Sequence, residues 1–382
     1  MENNPVNRYN YIITGAGCAG LSLLMHFIAA GKLHNKKILL IDKVPKTAND
    51  HTWCFWETKP GLFEPIVKKE WRNVLFHTDE FSRTLDIAPY RYKMIRGIDF
   101  YEHCFEIIAQ QKNIDVLYEA VESIDDKETA VVAGGKKFYA EYIFNSILFQ
   151  KPQLKPHQFY LQQHFKGWLI KTEKPVFDAD CATLMDFRVS QKHGTAFTYV
   201  LPLSDTLAMI EYTLFTKDLL APAQYDEALR EYINQHFRSL YTVRQEEMGV
   251  IPMTNYVFSR GSGNVVNIGS AGGQTKPSSG YTFYFIQQHS RAITTEITKT
   301  GKPFTGPLHA KKFNYYDSVL LNVLATGKLP GKKVFADLFR KNKPVHILQF
   351  LNNESALATD LRIISSLPML PFLKAGLQEI SH

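Results

Sequence analysis

The chain has 382 residues, of which 45% are hydrophobic and 21% charged, a composition that excludes a disordered chain, a collagen and a coiled coil. Its four cysteines, Cys18, Cys54, Cys104 and Cys181, form no C-x-x-C pair, which excludes a disulfide scaffold and a zinc cluster and reads as reduced thiols in a cytosolic protein. The length allows two or three domains, and the net charge of +7 permits weak attraction to anionic lipid, while nucleic acid is not an expected partner.

Met1 to Asn10 is polar and lacks the apolar segment of a signal peptide. Tyr11 to Leu33 is apolar enough to suggest a membrane span, but Gly15, Gly17, Gly20, His26 and Gly31 divide it. The pattern predicts a buried strand over Tyr9–Thr14, a tight turn over Gly15–Gly20 and a helix over Leu21–Ala30, with Gly31 just past its end. Lys36 to Asp42 predicts a second strand with an acid at its tip. A helix follows over Arg96–Ala109, then strands over Ile114–Val121, Thr129–Val132 and Tyr142–Phe144, with Gly134-Gly135 as a hairpin turn. Pro152 and Pro156 mark a boundary. Beyond it the period changes, and strands over Gly167–Thr172, Thr183–Val189, Ala196–Leu203 and Thr206–Leu214 suit an antiparallel sheet. A helix over Gln224–Phe237 and strands over Gly249–Met253 and Asn264–Gly269 precede a second glycine-rich turn, a helix after Gly280 and a helical region over Phe313–Ile380.

Gly15-x-Gly17-x-x-Gly20 matches the dinucleotide fingerprint: the first glycine permits the turn, the second lets backbone approach a pyrophosphate, and the third allows close helix–strand contact. Asp42 lies 22 residues after Gly20, where an acid accepts hydrogen bonds from a ribose. Three further features resemble flavoproteins of the glutathione-reductase type and favour FAD over NAD. Arg96 opens a helix, although it reads equally as a surface arginine. Val121 sits where such proteins bring a strand backbone to adenine. The run Asn267 to Tyr281, with Gly269, Ser270 and Gly280, stands where they cradle the ribityl chain, with Ser270 in place of the usual aspartate. Asp50-His-Thr-Trp-Cys-Phe-Trp-Glu57 reads either as a packed aromatic loop or as a wall beside a flavin or an apolar ligand, and His51 and Glu57 lack a metal spacing. Glu211 sits in an apolar strand pattern; it faces either solvent or an apolar cavity, where desolvation would hold it protonated as a general acid.

His51-Thr-Trp53, Met185-Asp186, Tyr199-x-Leu-Pro-Leu203, Ile210-Glu211-x-Thr213, Arg244-x-Glu-x-x-Gly-x-x-Pro252 and Pro277-Ser-Ser-Gly-Tyr281, in this order, resemble the bacterial lycopene beta-cyclases. The resemblance implies a flavoprotein that closes the ψ-end groups of lycopene, and then γ-carotene, into β-ionone rings with reduced FAD and no net redox change, NAD(P)H serving only as reductant. It implies Glu211 as the essential acid; should Glu211 fail, Asp186 or Glu57 is the next candidate. Tyr212 stands where relatives carry a second acid. The expected fold is α/β: a glutathione-reductase-type FAD-binding Rossmann fold over 1–150 and 255–300, an antiparallel substrate-binding sheet over 151–254 and a helical C-terminal region over 301–382. A hydrocarbon substrate implies a cytoplasmic enzyme held peripherally at a membrane, for which the basic runs Lys328–Lys333 and Arg340–Lys343 are candidates. A flavin monooxygenase or reductase, consuming NAD(P)H, and a non-catalytic carotenoid carrier are the competing expectations.

Overall fold

A computed structural model describes residues 7–32 and 34–380; the polar segment before residue 7 and Leu33 lie outside the described residues. Arg8–Thr14 forms the first strand, paired in parallel with Ile38–Asp42 on one side and Lys136–Asn145 on the other. Ile114–Tyr118 and Val265–Asn267 extend this sheet in parallel at its two flanks. A meander of Val121–Asp125 and Ala130–Ala133 hangs off Lys136–Asn145. Its hairpin turns at Gly134 and Gly135, whose φ of 56° and 69° require the left-handed region. The predicted strand over Ile114–Val121 is thus two strands with different partners.

Between the first two strands runs the helix Cys18–Ala30, apolar on nearly all sides because it is covered on both: Leu24 and Phe27 pack with Ile13 and Phe144 of the sheet and with Ile286 and Ile293 of the helix Phe283–Thr300. The apolar stretch after Tyr11 is therefore strand, turn and buried helix, and no helix among the described residues is long and apolar enough to cross a membrane.

The second sheet has seven strands in the order 241–254, 160–172, 207–216, 195–202, 181–186, 73–77, 82–86. It is antiparallel except where Cys181–Asp186 pairs in parallel with Asn73–His77. The sequence-based boundary at residue 151 therefore does not enclose it, since the hairpin 73–86 crosses over from the N-terminal part. The edge strand Tyr241–Thr254 starts eight residues earlier than its apolar end predicts. A small sheet of Thr52–Glu57, Arg91–Arg96 and Lys69–Trp71 bridges the two. Helix Pro222–His236 covers one face of the seven-stranded sheet through Leu229 and Ile233. The helices Gly331–Lys341 and Pro344–Leu351 cover the other through Phe335, Phe339 and Ile347. The α/β class, with a dinucleotide-type sheet, a second largely antiparallel sheet and a helical C-terminal region, is as the sequence predicts.

Candidate active site

At the C-terminal end of the first strand, Gly15 turns with φ 95° and donates its amide to Ile41 O at 2.7 Å. A Cβ at Gly20 would collide with the Gly15 carbonyl oxygen, so the helix starts directly against the turn. Gly17 is different: its backbone is extended, and a Cβ there would meet nothing, because it points into a cavity of about 390 Å³. Asp42 Oδ2 accepts the Ala16 amide at 2.6 Å, so this buried carboxylate holds the turn itself, with Lys46 Nζ 3.4 Å from its other oxygen. Opposite, the second glycine-rich turn presses Gly269, at φ 58°, onto Ala19.

Gly17, Gly269, Ser270, Gly280 and Glu211 all line this cavity. Gly15, Gly20 and Asp42 shape its floor from behind. Arg96 and Val121 are not among the lining residues. Arg96 caps the helix Gly97–Ile108 and pairs with Asp99, Nε to Oδ2 at 2.7 Å, and Val121 lies in the meander. The Asp50–Glu57 segment divides. Asp50 to Cys54 lines the cavity, the His51 ring stacked on Trp53 at 5.7 Å, whereas Glu57 lies in a separate cleft, its Oε1 accepting from Lys93 at 3.0 Å.

Glu211 reaches the cavity because it sits at the right parity of the strand Leu207–Thr216. Met209, Glu211, Thr213 and Phe215 share one face, while Ile210, Tyr212 and Leu214 pack under the helix Pro222–His236. Tyr212 is therefore buried on the far side of the sheet, and an acid at that position would not face the cavity. Thr213 Oγ1 donates to Glu211 Oε1 at 2.7 Å. Burial, reinforced by the charge of Glu247 and only partly offset by Thr213, pushes the Glu211 carboxyl up to about 8.

Glu247 was invisible from sequence. In register, Gly167 stands between Glu211 and Glu247 on the neighbouring strands, so both carboxylates rise from one face across a position without a side chain. Two strand spacings place their backbones roughly 10 Å apart. Glu247 accepts two hydrogen bonds from Thr52, from N at 2.8 Å and Oγ1 at 2.6 Å, yet burial still raises its carboxyl above the usual range. Glu246, the acid in the quoted motif, points the other way and pairs with Lys166 at 2.9 Å. Glu247 shares its parity with Gly249 and Ile251, but Val250 and Pro252 line the cavity as well, so parity did not mark it out.

Asp186, the substitute acid, lies on the far face. Arg188 binds it with two donors, Tyr232 Oη donates at 2.8 Å, and Arg188 holds its carboxyl low despite burial. It is ionised, and like Glu57 it lies outside the cavity.

Much of the rest of the wall is aromatic. Tyr92, Tyr199, Tyr281, Trp53, Phe165 and Phe283 line it together with aliphatic side chains such as Leu201 and Ile286. Two buried polar atoms on the lining, Gln163 Oε1 and Ser279 Oγ, have no partner within the protein. Such groups are ordinarily satisfied, so the cavity offers unpaired polar atoms to a ligand beside its aromatic side chains. Among the described residues no group of histidine, cysteine and carboxylate side chains is arranged to hold a metal.

The family model for lycopene cyclase proteins matches residues 10–377. A lycopene beta-cyclase of Pantoea ananas is 26% identical over 258 residues, 64% of this chain and 63% of that protein, so the matched part is under two thirds of that relative's length. A lycopene beta-cyclase of a Paracoccus species is 22% identical over 95% of both chains. Among solved structures, a flavoprotein/dehydrogenase of Cytophaga hutchinsonii superposes with a TM-score of 0.63 at 12% identity, covering 98% of this chain and 99% of that one, a likeness of fold.

Proposed function

The chain belongs to the lycopene cyclase family, and from that premise we propose that it closes the acyclic ends of lycopene into β-ionone rings, giving γ-carotene and then β-carotene. The observation that carries the reading is a carboxylic acid kept protonated near neutral pH, Glu211, in an aromatic cavity that opens onto a dinucleotide turn.

The residues present fit FAD. The Gly17 position leaves room for the pyrophosphate, the amides of the helix Cys18–Ala30 begin there, and Lys46 lies on the lining to meet its charge. Gly269, Ser270 and Gly280 form the opposite wall, and Gln163 and Ser279 offer unpaired polar atoms. Bound and reduced, the flavin would supply negative charge to the cavity these residues line.

Glu211 acts as the acid. Thr213 occupies Oε1, which leaves Oε2 to carry the transferable proton. That proton goes to C2 of the ψ-end, forming a C–H bond and a tertiary cation at C1. The C5–C6 double bond closes onto C1, and a proton leaves C6, so no electron is gained or lost. The Glu211 carboxylate is the base that takes this proton back, restoring the acid. Trp53, Tyr92, Tyr199 and Tyr281 exclude water and present π-faces to the cation, and Glu247 adds negative charge across Gly167. The test is production in a bacterial host that accumulates lycopene, with pigments separated by chromatography. γ- and β-carotene at the expense of lycopene are expected; unchanged lycopene with abundant folded protein overturns the reading.

A further inference from the structure

We propose that the exposed apolar face of the last two helices, Leu357–Ser366 and Met369–Ile380, is a docking surface for a lipid bilayer carrying anionic headgroups. The first helix exposes Leu357 and Leu361, one turn apart. The second exposes Met369, Leu370, Leu373, Leu377 and Ile380, a helical stripe. Each of these side chains is between 55% and 80% exposed, and no other segment among the described residues concentrates large apolar side chains this way.

Charge selects the occupant. The carboxylates of the pair point inward. Asp360 is buried against Lys312 Nζ at 2.6 Å and Ser355 Oγ at 2.5 Å, and Glu379 accepts from Asn322 at 2.8 Å. Arg362 and Lys374 remain on the exposed side. An apolar stripe with exposed cations and no exposed acid lies flat in a headgroup layer, and helices of 10 and 12 residues are too short to span one. The basic runs marked out by sequence are mostly occupied within the chain. Lys328 binds Asn322, Lys332 pairs with Asp79, and Lys341 reaches Asp337 and the Ser366 carbonyl.

Position gives the surface a use. Met369–Ile380 packs on Lys311–Ala325, with Gly376 against Tyr315. The end of that helix, Leu324 and Ala325, lines a groove of about 650 Å³ together with Leu161 and Phe215. Phe215 and Leu161 share their sheet face with Glu211 and Gln163, so the groove and the cavity lie on one face, roughly 13 Å of strand apart. The groove is lined by polar as well as apolar side chains, Gln191, His193 and Thr216 among them, and it would bring a hydrocarbon to the sheet face that carries Glu211. This use rests on the cyclase reading; the docking surface itself does not.

The test is co-sedimentation of the full chain with vesicles of phosphatidylcholine plus phosphatidylglycerol, and of phosphatidylcholine alone. Binding to the anionic vesicles is expected to fall roughly tenfold or more in Leu373→Ser/Leu377→Ser, and to fall only with the anionic vesicles in Arg362→Glu/Lys374→Glu. These positions are exposed, so unchanged thermal unfolding confirms folded variants. Equal vesicle binding by wild type and the leucine variant overturns the proposal. So does a wild-type dimer in light scattering that the leucine variant converts to monomer without any vesicle binding. Cyclisation of lycopene in detergent micelles separates the two readings. Vesicle binding lost while micellar activity persists supports docking; vesicle binding by a wild type that cyclises in no medium supports docking and refutes the cyclase.

Discussion

Glu211 is worth most at the residue scale because one physical fact, burial beside another acid, gives it both its reactivity and its cost. Glu211→Gln keeps the shape and removes the proton, and β-carotene formation is expected to fall by about 10²–10⁴-fold or more while FAD stays bound. The wild-type rate should decline as pH rises through about 8, where the carboxyl ionises. The same shift has a stability consequence. Between the ordinary 4.5 and about 8 the folded chain holds a proton that the unfolded chain has released, so the stability from this group is full below 4.5 and is lost as pH approaches 8. Denaturation midpoints of Glu211→Gln should therefore gain on wild type across that interval, and a constant difference contradicts the buried acid. Glu247→Gln removes the neighbouring charge, and the alkaline limb of the rate profile should move down by up to about one unit, the scale of a Coulomb interaction across roughly 10 Å at an effective dielectric near 20. An unmoved limb means the two carboxylates do not communicate. Glu211 was legible because it stands among apolar residues in a recognisable motif; Glu247 was not, because its neighbours Gln245 and Glu246 are polar and nothing local says which of them the strand turns inward.

The two glycine turns and the strand faces are the elements that decide what reaches the cavity. Gly17 and Gly20 make a matched pair of tests. Gly17→Val is compatible with an extended backbone and its Cβ meets no protein atom, so the variant should fold normally and yet lose most of its FAD, read as the flavin-to-protein absorbance ratio. Gly20→Ala drives a methyl into the Gly15 carbonyl, so it should lower the unfolding temperature as well as the flavin content. Full flavin occupancy in Gly17→Val defeats the pyrophosphate assignment. The β-turn-α-β unit could be read in the sequence because its helix, sheet and glycines each carry a strong local signal. The hairpin 73–86 and the bridging sheet could not. Their strands are three to six residues long; Asn73–His77 finds its second partner in Cys181–Asp186, over a hundred residues away, and the bridging strands pair out of sequence order. Strand 241–254 was seen only at its apolar end, since its first half reads Tyr-Thr-Val-Arg-Gln-Glu-Glu and shows no period of two in hydrophobicity.

On the scale of the whole molecule, the proposed reaction sets isomerase chemistry on a flavoprotein-type fold, and isotope and redox accounting decides between that and oxidation. The fold is shared with a flavoprotein/dehydrogenase, so it does not by itself separate cyclisation from oxidation. The proposed route is separate: in it Glu211 would deliver a proton and its carboxylate recover one, leaving the electron count of the substrate unchanged. In heavy water the exchangeable proton of Glu211 becomes a deuteron before each turnover, so every ring should carry deuterium at C2, seen by mass spectrometry as one extra mass unit per ring. NAD(P)H should be consumed only to reduce the flavin once, far below one equivalent per ring, and a chemical reductant should replace it. A monooxygenase or reductase built on the same architecture predicts the reverse: stoichiometric loss of NAD(P)H and a product whose mass differs from lycopene by oxygen or hydrogen. Deuterium-free rings formed with one NAD(P)H each would remove Glu211 from the first step and return the chain to the oxidative chemistry its fold also permits.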